Sequence, residues 1–144
     1  MLVLVASGGA TPMGRVEFTP TIDGVKRVAF VHVPTQPSPK GAPLVFVFHG
    51  HGGNGRYSER KFRVHELWPE AMVFYPTGLP TSGMTDPDGK KNGWQNAKGT
   101  YDDRDLKFFD AMLAEAKRLG KIDECRIFSM GHSNGARFTY LLWS

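Results

Sequence analysis

Residues 126–135 read RIFSMGHSNG, an apolar segment followed by the pattern G-x-S-x-G, and the largely apolar residues 136–144 come next. This order is typical of a strand, a sharp turn and a helix, in which the turn lifts the central serine out of the sheet in a strained conformation. Gly131 and Gly135 suit such a turn because a Cβ at either position would collide with the neighbouring strand or helix. The stretch predicts that Ser133 is a nucleophile; a glycine-rich turn with an ordinary serine is the alternative.

Further apolar segments precede this stretch. Residues 43–48 (PLVFVF) and 71–75 (AMVFY), like residues 126–130 (RIFSM), show no polar alternation, which indicates strands buried on both faces. Helical patterns separate or follow these strands, at residues 58–68, 101–119 and 136–144. Strands that alternate with helices predict right-handed βαβ units. The expected fold class is therefore α/β, with a mostly parallel sheet and helices on both faces.

The N-terminal part of the chain predicts a β-hairpin and, before it, the end of a secretory signal. Residues 15–34 place β-branched residues on both sides of Asp23-Gly24, which predicts an antiparallel hairpin, and residues 15–144 are expected to form one domain. Residues 1–14 are expected to lie outside that domain. Within them, residues 1–10 (MLVLVASGGA) resemble the end of a secretory signal and predict a secreted or extracytoplasmic protein. A disordered or edge-strand N-terminus is the alternative.

Composition excludes several classes of protein. The 144 residues are 40% hydrophobic, as in a globular domain, and the 17 glycines and 10 prolines predict many tight connections. The net charge of +4 is dispersed along the chain, so no nucleic-acid surface is expected, and no apolar run is long enough to predict a membrane span. Cys125 is the sole cysteine. It is expected to be a small buried residue; pairing with a cysteine outside this sequence is the alternative.

The loop HGHGG, residues 49–53, directly follows the first predicted parallel strand. An acyl-transfer enzyme needs two backbone N–H donors for the oxyanion, one from the residue after the nucleophile and one from the first βα loop. Asn134 fits the first role and His51 the second, with Gly52 as the near alternative. A metal pair of His49 and His51 is disfavoured because no carboxylate ligand is near in sequence, so no metal is expected and His49 is interpreted as a structural loop residue.

Residues 76–100 form a long polar segment, of a kind that usually carries function or is disordered. Trp94 in this segment is expected either to line a pocket mouth and bind substrate or to pack in the core. Asp86 and Asp88 suggest a calcium loop, but Lys90 occupies the next ligand position, so a solvated loop is expected. Three acidic residues near the start of the predicted helix are expected to cap it and oppose its dipole: Asp102, Asp103 and Asp105.

These motifs together resemble a known group of enzymes. The run at residues 49–55, Gly93-Trp94-Gln95, Asp102-Asp103 and residues 131–135 are similar to the α/β-hydrolase superfamily, and within it to secreted esterases of the polyhydroxybutyrate depolymerase-like and feruloyl esterase groups. The resemblance runs from about Val25 to the end of the chain. It implies an α/β-hydrolase-like domain that needs no cofactor and hydrolyses a small-molecule or polymer-linked carboxylic ester through an acyl-enzyme. Ser133 is then the nucleophile, and the N–H groups of His51 and Asn134 are the oxyanion hole.

The triad is incomplete in this sequence. In the superfamily, the acid and the histidine follow the serine along the chain, yet residues 134–144 contain no Asp, Glu or His. We therefore expect the 144 residues to be the N-terminal part of an esterase and to be inactive by themselves. A serine peptidase or acyltransferase on the same fold is one alternative, and a non-catalytic binding module is another.

Overall fold

A computed structural model describes residues 14–144 of the chain. The strands are β1 (Arg15–Phe18), β2 (Thr21–Ile22), β3 (Val25–Lys26), β4 (Val28–His32), β5 (Ala42–Phe48), β6 (Met72–Thr77), β7 (Leu79–Pro80), β8 (Asn92–Gly93) and β9 (Ile122–Gly131). The helices are α1 (Gly55–Phe62), α2 (Val64–Leu67), α3 (Arg104–Leu119) and α4 (Asn134–Leu141), with a short turn at Thr100–Asp103 before α3.

Five strands form the main sheet, in the order β1-β4-β6-β5-β9. The strands β6, β5 and β9 are parallel, whereas β4 is antiparallel to both β1 and β6. The prediction of an α/β class is confirmed. The sheet is mixed rather than mostly parallel, because the N-terminal hairpin joins it through β4, in the opposite direction to β6.

The core lies on both faces of this sheet. Along β5, Leu44, Phe46 and Phe48 face the helices α3 and α4, and Val45 and Val47 face α1 and α2. Because both faces are covered, β5 is fully buried and needs no polar alternation. The predictions of helices on both faces and of a buried strand at residues 43–48 are thus confirmed.

The hairpin predicted from Asp23-Gly24 is present, and the backbone of its turn explains why these two residues predict it. Asp23 and Gly24 both have positive φ, 49° and 79°, which is the backbone of the two-residue turn favoured between antiparallel strands. The turn joins β2 and β3, and the longer pairing of β1 with β4 continues the same hairpin.

Several element predictions need correction. Arg63 has a φ of 47° and divides the expected helix at residues 58–68 into α1 and α2. The strand expected to be buried at residues 126–130 extends over Ile122–Gly131 and pairs with β5 alone among the described residues, so Phe128 is 45% exposed. Cys125 lies in this edge strand and is exposed, not buried as expected.

The segment at residues 1–10, on which the expectation of secretion rests, lies outside the described residues. Within residues 14–144, no helix is both long and apolar enough to cross a membrane.

Candidate active site

Ser133 occupies the turn between β9 and α4, as the sequence predicted. Its backbone has φ 53° and ψ −118°, a combination that residues with a Cβ rarely adopt. Such a conformation persists only where the surrounding structure imposes it, and it places the side chain at the end of the strand. The side chain of Ser133 is exposed.

The two glycines of the pattern allow the turn to pack closely. A Cβ on Gly135 would collide with the backbone carbonyl of Phe48 at the end of β5. A Cβ on Gly131 would collide with the backbone of Gly135 and lie 2.7 Å from the nitrogen of Ala136. Since these neighbours are backbone atoms, they have little freedom to move, and the turn requires glycine at both positions.

The strain at Ser133 should be measurable as stability. We expect the free energy of unfolding of Ser133→Gly to exceed that of Ser133→Ala by about 1–2 kcal/mol, because glycine adopts this conformation without a Cβ penalty. Urea denaturation of the two variants measures the difference. Equal stability, or a more stable alanine variant, would show that the turn stores no strain.

The loop at residues 49–53 lies beside this turn. A Cβ on Gly50 would be 3.5 Å from the Cβ of Ser133. Within residues 14–144, the backbone N–H groups of His51 and Asn134 donate to no protein acceptor. The N–H of Gly52, in contrast, donates to the Asn92 carbonyl at 2.7 Å. Of the two donors considered for the loop, His51 is therefore the one with a free N–H group.

His49 is buried directly beneath the loop. Its Nε2 accepts a hydrogen bond from the Gly78 N–H at 2.9 Å, so Nδ1 carries the proton and donates to the Gly50 carbonyl at 2.7 Å. Burial lowers the pKa of His49 to about 4, against the opposing effect of the bond to Gly50. These contacts agree with the interpretation of His49 as a neutral, structural residue.

His49 should make stability depend on pH. Its pKa in the folded chain is lower than the ordinary value of 6.5, so the unfolded state binds more protons and stability is lost as pH falls from about 6.5 to about 4. We expect this group alone to cost about 2 kcal/mol between pH 7 and pH 5. Urea denaturation at both pH values should show a smaller loss for His49→Gln than for the wild type. An equal loss in the two proteins would contradict the assignment.

Trp94 packs in the core and does not line a pocket mouth. Its side chain is 0% exposed and stacks on Phe138 of α4, with a ring separation of 5.4 Å. Its Nε1 donates to the His49 carbonyl at 2.9 Å. The prediction of a substrate-binding role for Trp94 is therefore corrected to a role in holding the loop at residues 49–53 in place.

The side chain of Asn134 has a role that the sequence did not reveal. Its Oδ1 accepts from the Trp94 N–H at 2.7 Å, and its Nδ2 donates to the Trp94 carbonyl and to Asn96 Oδ1, both at 3.0 Å. This amide thus fastens the polar segment at residues 94–96 to the turn that carries Ser133. A sequence shows that an amide follows the serine but not which segment the amide will meet.

Asp103 precedes α3 without the expected side-chain cap, whereas Asp105 lies in the first turn, where its charge opposes the helix dipole as predicted. Asp102 and Asp103 lie in a left-handed turn before the helix, which begins at Arg104 instead of residue 101, and Asp103 Oδ1 accepts from Gln95 and Gly99. Asp105 is fully buried and accepts from the Arg27 guanidinium and the Gln95 N–H, each at 2.8 Å. The cluster organises the polar segment that supports the site.

Asp86 is also more structured than a solvated loop residue. It is 8% exposed and accepts from the Lys91 N–H at 2.8 Å and from His51 Nε2 at 3.1 Å. The bond from Lys91 is the main reason that the pKa of Asp86 lies below its ordinary value. Asp88 is exposed and pairs with Lys90, as expected of a solvated residue. Residues 14–144 contain no group of three side chains arranged to hold a metal ion.

Ser133 opens onto a cavity of about 400 Å³. His51 and Asn134 line the same cavity, together with Asn96 and Arg137 and with part of the loop at residues 82–85. One cavity is therefore lined by Ser133 and by the two residues whose backbone N–H groups have no protein acceptor. This arrangement can bind a carbonyl group and stabilise negative charge on its oxygen.

A general base is not assembled at Ser133 within the described residues. The hydrogen bonds of His32, His49, His51 and His65 in residues 14–144 go to groups other than the Ser133 hydroxyl. The ring of His132 lies against Gly50, where a Cβ would be 2.8 Å from Nδ1.

Comparison with known proteins shows a similarity in structure but none in sequence. No protein-family model matches the chain, and no curated protein matches it in sequence. A solved structure of a ferulic acid esterase is similar, with a TM-score of 0.55 and 18% sequence identity, over 84% of this chain and 48% of the esterase chain. The chain thus spans about half the length of that esterase, and the likeness is one of fold.

Proposed function

We propose that this chain is part of a serine carboxylic-ester hydrolase of the α/β-hydrolase type, similar to feruloyl esterases or polyhydroxybutyrate depolymerase-like enzymes. The observation that carries the proposal is the strained backbone of Ser133, with φ 53° and ψ −118°, in a cavity shared with His51 and Asn134. A strained serine on a strand-turn-helix, beside two free N–H donors, is the arrangement that acyl transfer requires.

The topology supports the proposed type. Counted along the chain, β5 is the third strand of the main sheet, and the loop at residues 49–53 joins it to α1. In α/β-hydrolases, one oxyanion donor comes from the loop after the third strand and the other from the residue after the nucleophile. His51 and Asn134 occupy these two places. The ferulic acid esterase that is similar in fold supports an ester as the substrate.

The proposed reaction proceeds in two steps at Ser133. The Ser133 oxygen attacks the ester carbonyl carbon while a base removes the hydroxyl proton, and the N–H groups of His51 and Asn134 donate to the resulting oxyanion. Collapse of this intermediate expels the alcohol and leaves an acyl-serine. Water then attacks the acyl-serine, releases the carboxylic acid and restores the hydroxyl.

We assign the triad acid and histidine to a longer protein that contains these 144 residues. The chain spans 48% of the esterase that it resembles, and no histidine in residues 14–144 is hydrogen bonded to the Ser133 hydroxyl. Without the base, a serine remains a neutral alcohol and a poor nucleophile. The proposal therefore includes low activity of the 144-residue chain by itself.

Paired substrates test the class of reaction. The longer protein should hydrolyse 4-nitrophenyl butyrate, and it should not release 4-nitroaniline from the matching butyryl amide at a comparable rate. Faster cleavage of the amide would show that the protein is a peptidase and not an esterase. If neither substrate were cleaved, the proposal of an enzyme would be contradicted.

A further inference from the structure

Among residues 14–144, the cavity that contains Ser133 is lined by the cation of Arg137 and by no carboxylate. Arg137 lies one helical turn after Ser133 on α4, and its backbone N–H donates to the Ser133 carbonyl at 3.2 Å. Residues four apart lie on the same side of a helix, about 6 Å apart along its axis. Arg137 and Ser133 both line this cavity.

Arg137 has no ion-pair partner among the described residues. The arginines that form salt bridges within residues 14–144 are Arg15, Arg27, Arg63, Arg104, Arg118 and Arg126. The acidic side chain next to the cavity is Asp86, whose Oδ2 accepts from His51 Nε2 and from the Lys91 N–H and which forms no salt bridge with Arg137. The charge of Arg137 is thus available to a ligand.

A second cavity, of about 340 Å³, continues the positive surface on the other side of His51. Arg60 and Lys61 line it, and no carboxylate does. Like Arg137, these two side chains form no salt bridge within residues 14–144. Three cations that form no salt bridge within the described residues therefore line two neighbouring cavities that share His51, and such a surface attracts anions.

From this arrangement we infer that the substrate is an ester that also carries a carboxylate, and that Arg137 binds this carboxylate while the ester carbonyl lies at Ser133. The contact between the ester carbonyl and Ser133 rests on the proposed function, whereas the contact between the carboxylate and Arg137 does not. A guanidinium binds a carboxylate through two parallel N–H donors, which gives both affinity and orientation. The amide of Asn96 lines the same cavity and offers a further donor. Arg137 is then the residue that selects anionic over neutral esters.

Binding of two matched probes to the 144-residue chain tests the inference without requiring catalysis. We expect the monomethyl glutarate anion to shift the NMR resonances of the Arg137 side chain and of the Ser133 turn, and dimethyl glutarate to bind at least about tenfold more weakly. Arg137→Gln should weaken binding of the anion about tenfold, and Arg137→Lys should retain part of the affinity. Lys26→Gln, an exposed position on β3 that lines neither cavity, removes the same charge and should change affinity less than about twofold.

Two results would overturn the inference: equal binding of the anion and the diester, or unchanged affinity in Arg137→Gln. Shifts confined to Arg60 and Lys61 would overturn it as well, because the carboxylate would then occupy the other cavity. Failure of this inference is distinct from failure of the proposed function. Selective anion binding with an unreactive Ser133 would contradict the esterase alone, and a reactive Ser133 without selective binding would contradict the role of Arg137 alone.

Discussion

Ester hydrolysis by the longer protein should fall by about 10⁴-fold or more when Ser133 is replaced by alanine. The reason is that the alanine variant has no oxygen to form the acyl-enzyme, while the N–H groups of His51 and Asn134 remain in place. The measurement is kcat/KM for 4-nitrophenyl butyrate in the wild type and the variant. Alanine removes a single exposed oxygen atom, so the fold should be unaffected.

A matched control makes this comparison specific to Ser133. Ser129 lies on β9, four residues before the nucleophile, and lines neither the cavity of Ser133 nor its neighbour. Ser129→Ala should retain kcat/KM within about threefold, as expected of a change outside the reacting groups. If Ser133→Ala retained activity near that of Ser129→Ala, hydrolysis would not proceed through Ser133.

The free energy of unfolding should fall by about 3–5 kcal/mol when Asp105 is replaced by alanine. Both side chains of the Arg27–Asp105 pair are 0% exposed, and Asp105 also accepts from the Gln95 N–H. The variant would leave the Arg27 guanidinium buried without its counterion. Burial already lowers the pKa of Arg27, against the opposing attraction of Asp105, which indicates how costly the isolated charge would be.

Urea denaturation of three proteins tests this value. Asp110→Ala changes an exposed carboxylate on the same helix and should alter stability by less than about 0.5 kcal/mol. The double variant Asp105→Leu with Arg27→Met removes both charges and should recover much of the loss. A loss below about 1 kcal/mol in Asp105→Ala would show that Arg27 reaches solvent or another partner.

The features that sequence predicted best depend on short-range chemistry. Asp23 and Gly24 adopt the positive φ values that their turn needs, and residues 43–48 form a strand buried on both faces. The pattern at residues 131–135 predicted the turn of Ser133 in part because the collision that requires glycine at Gly131 is with Gly135 of the same pattern. In each case the residue type and its neighbours were sufficient.

The features that the sequence did not predict depend on which tertiary partner each side chain meets. Trp94 packs against Phe138 of α4, and Asp86 is fixed by His51. Asp103 bonds to Gln95 and Gly99 instead of capping α3, so the helix starts later than its pattern suggested. A polar side chain near the start of a helix can either cap the helix or form such tertiary hydrogen bonds. Which of the two it forms depends on packing that a single sequence does not show.

We propose that Ser133 is an activated nucleophile in the longer protein. Reaction with a fluorophosphonate, followed by mass spectrometry of the digested protein, tests this proposal. We expect one adduct, on Ser133, that forms much faster in the longer protein than in the 144-residue chain, because we assign the base to the longer protein. An unmodified Ser133 in the longer protein, or an adduct on another serine, would contradict it.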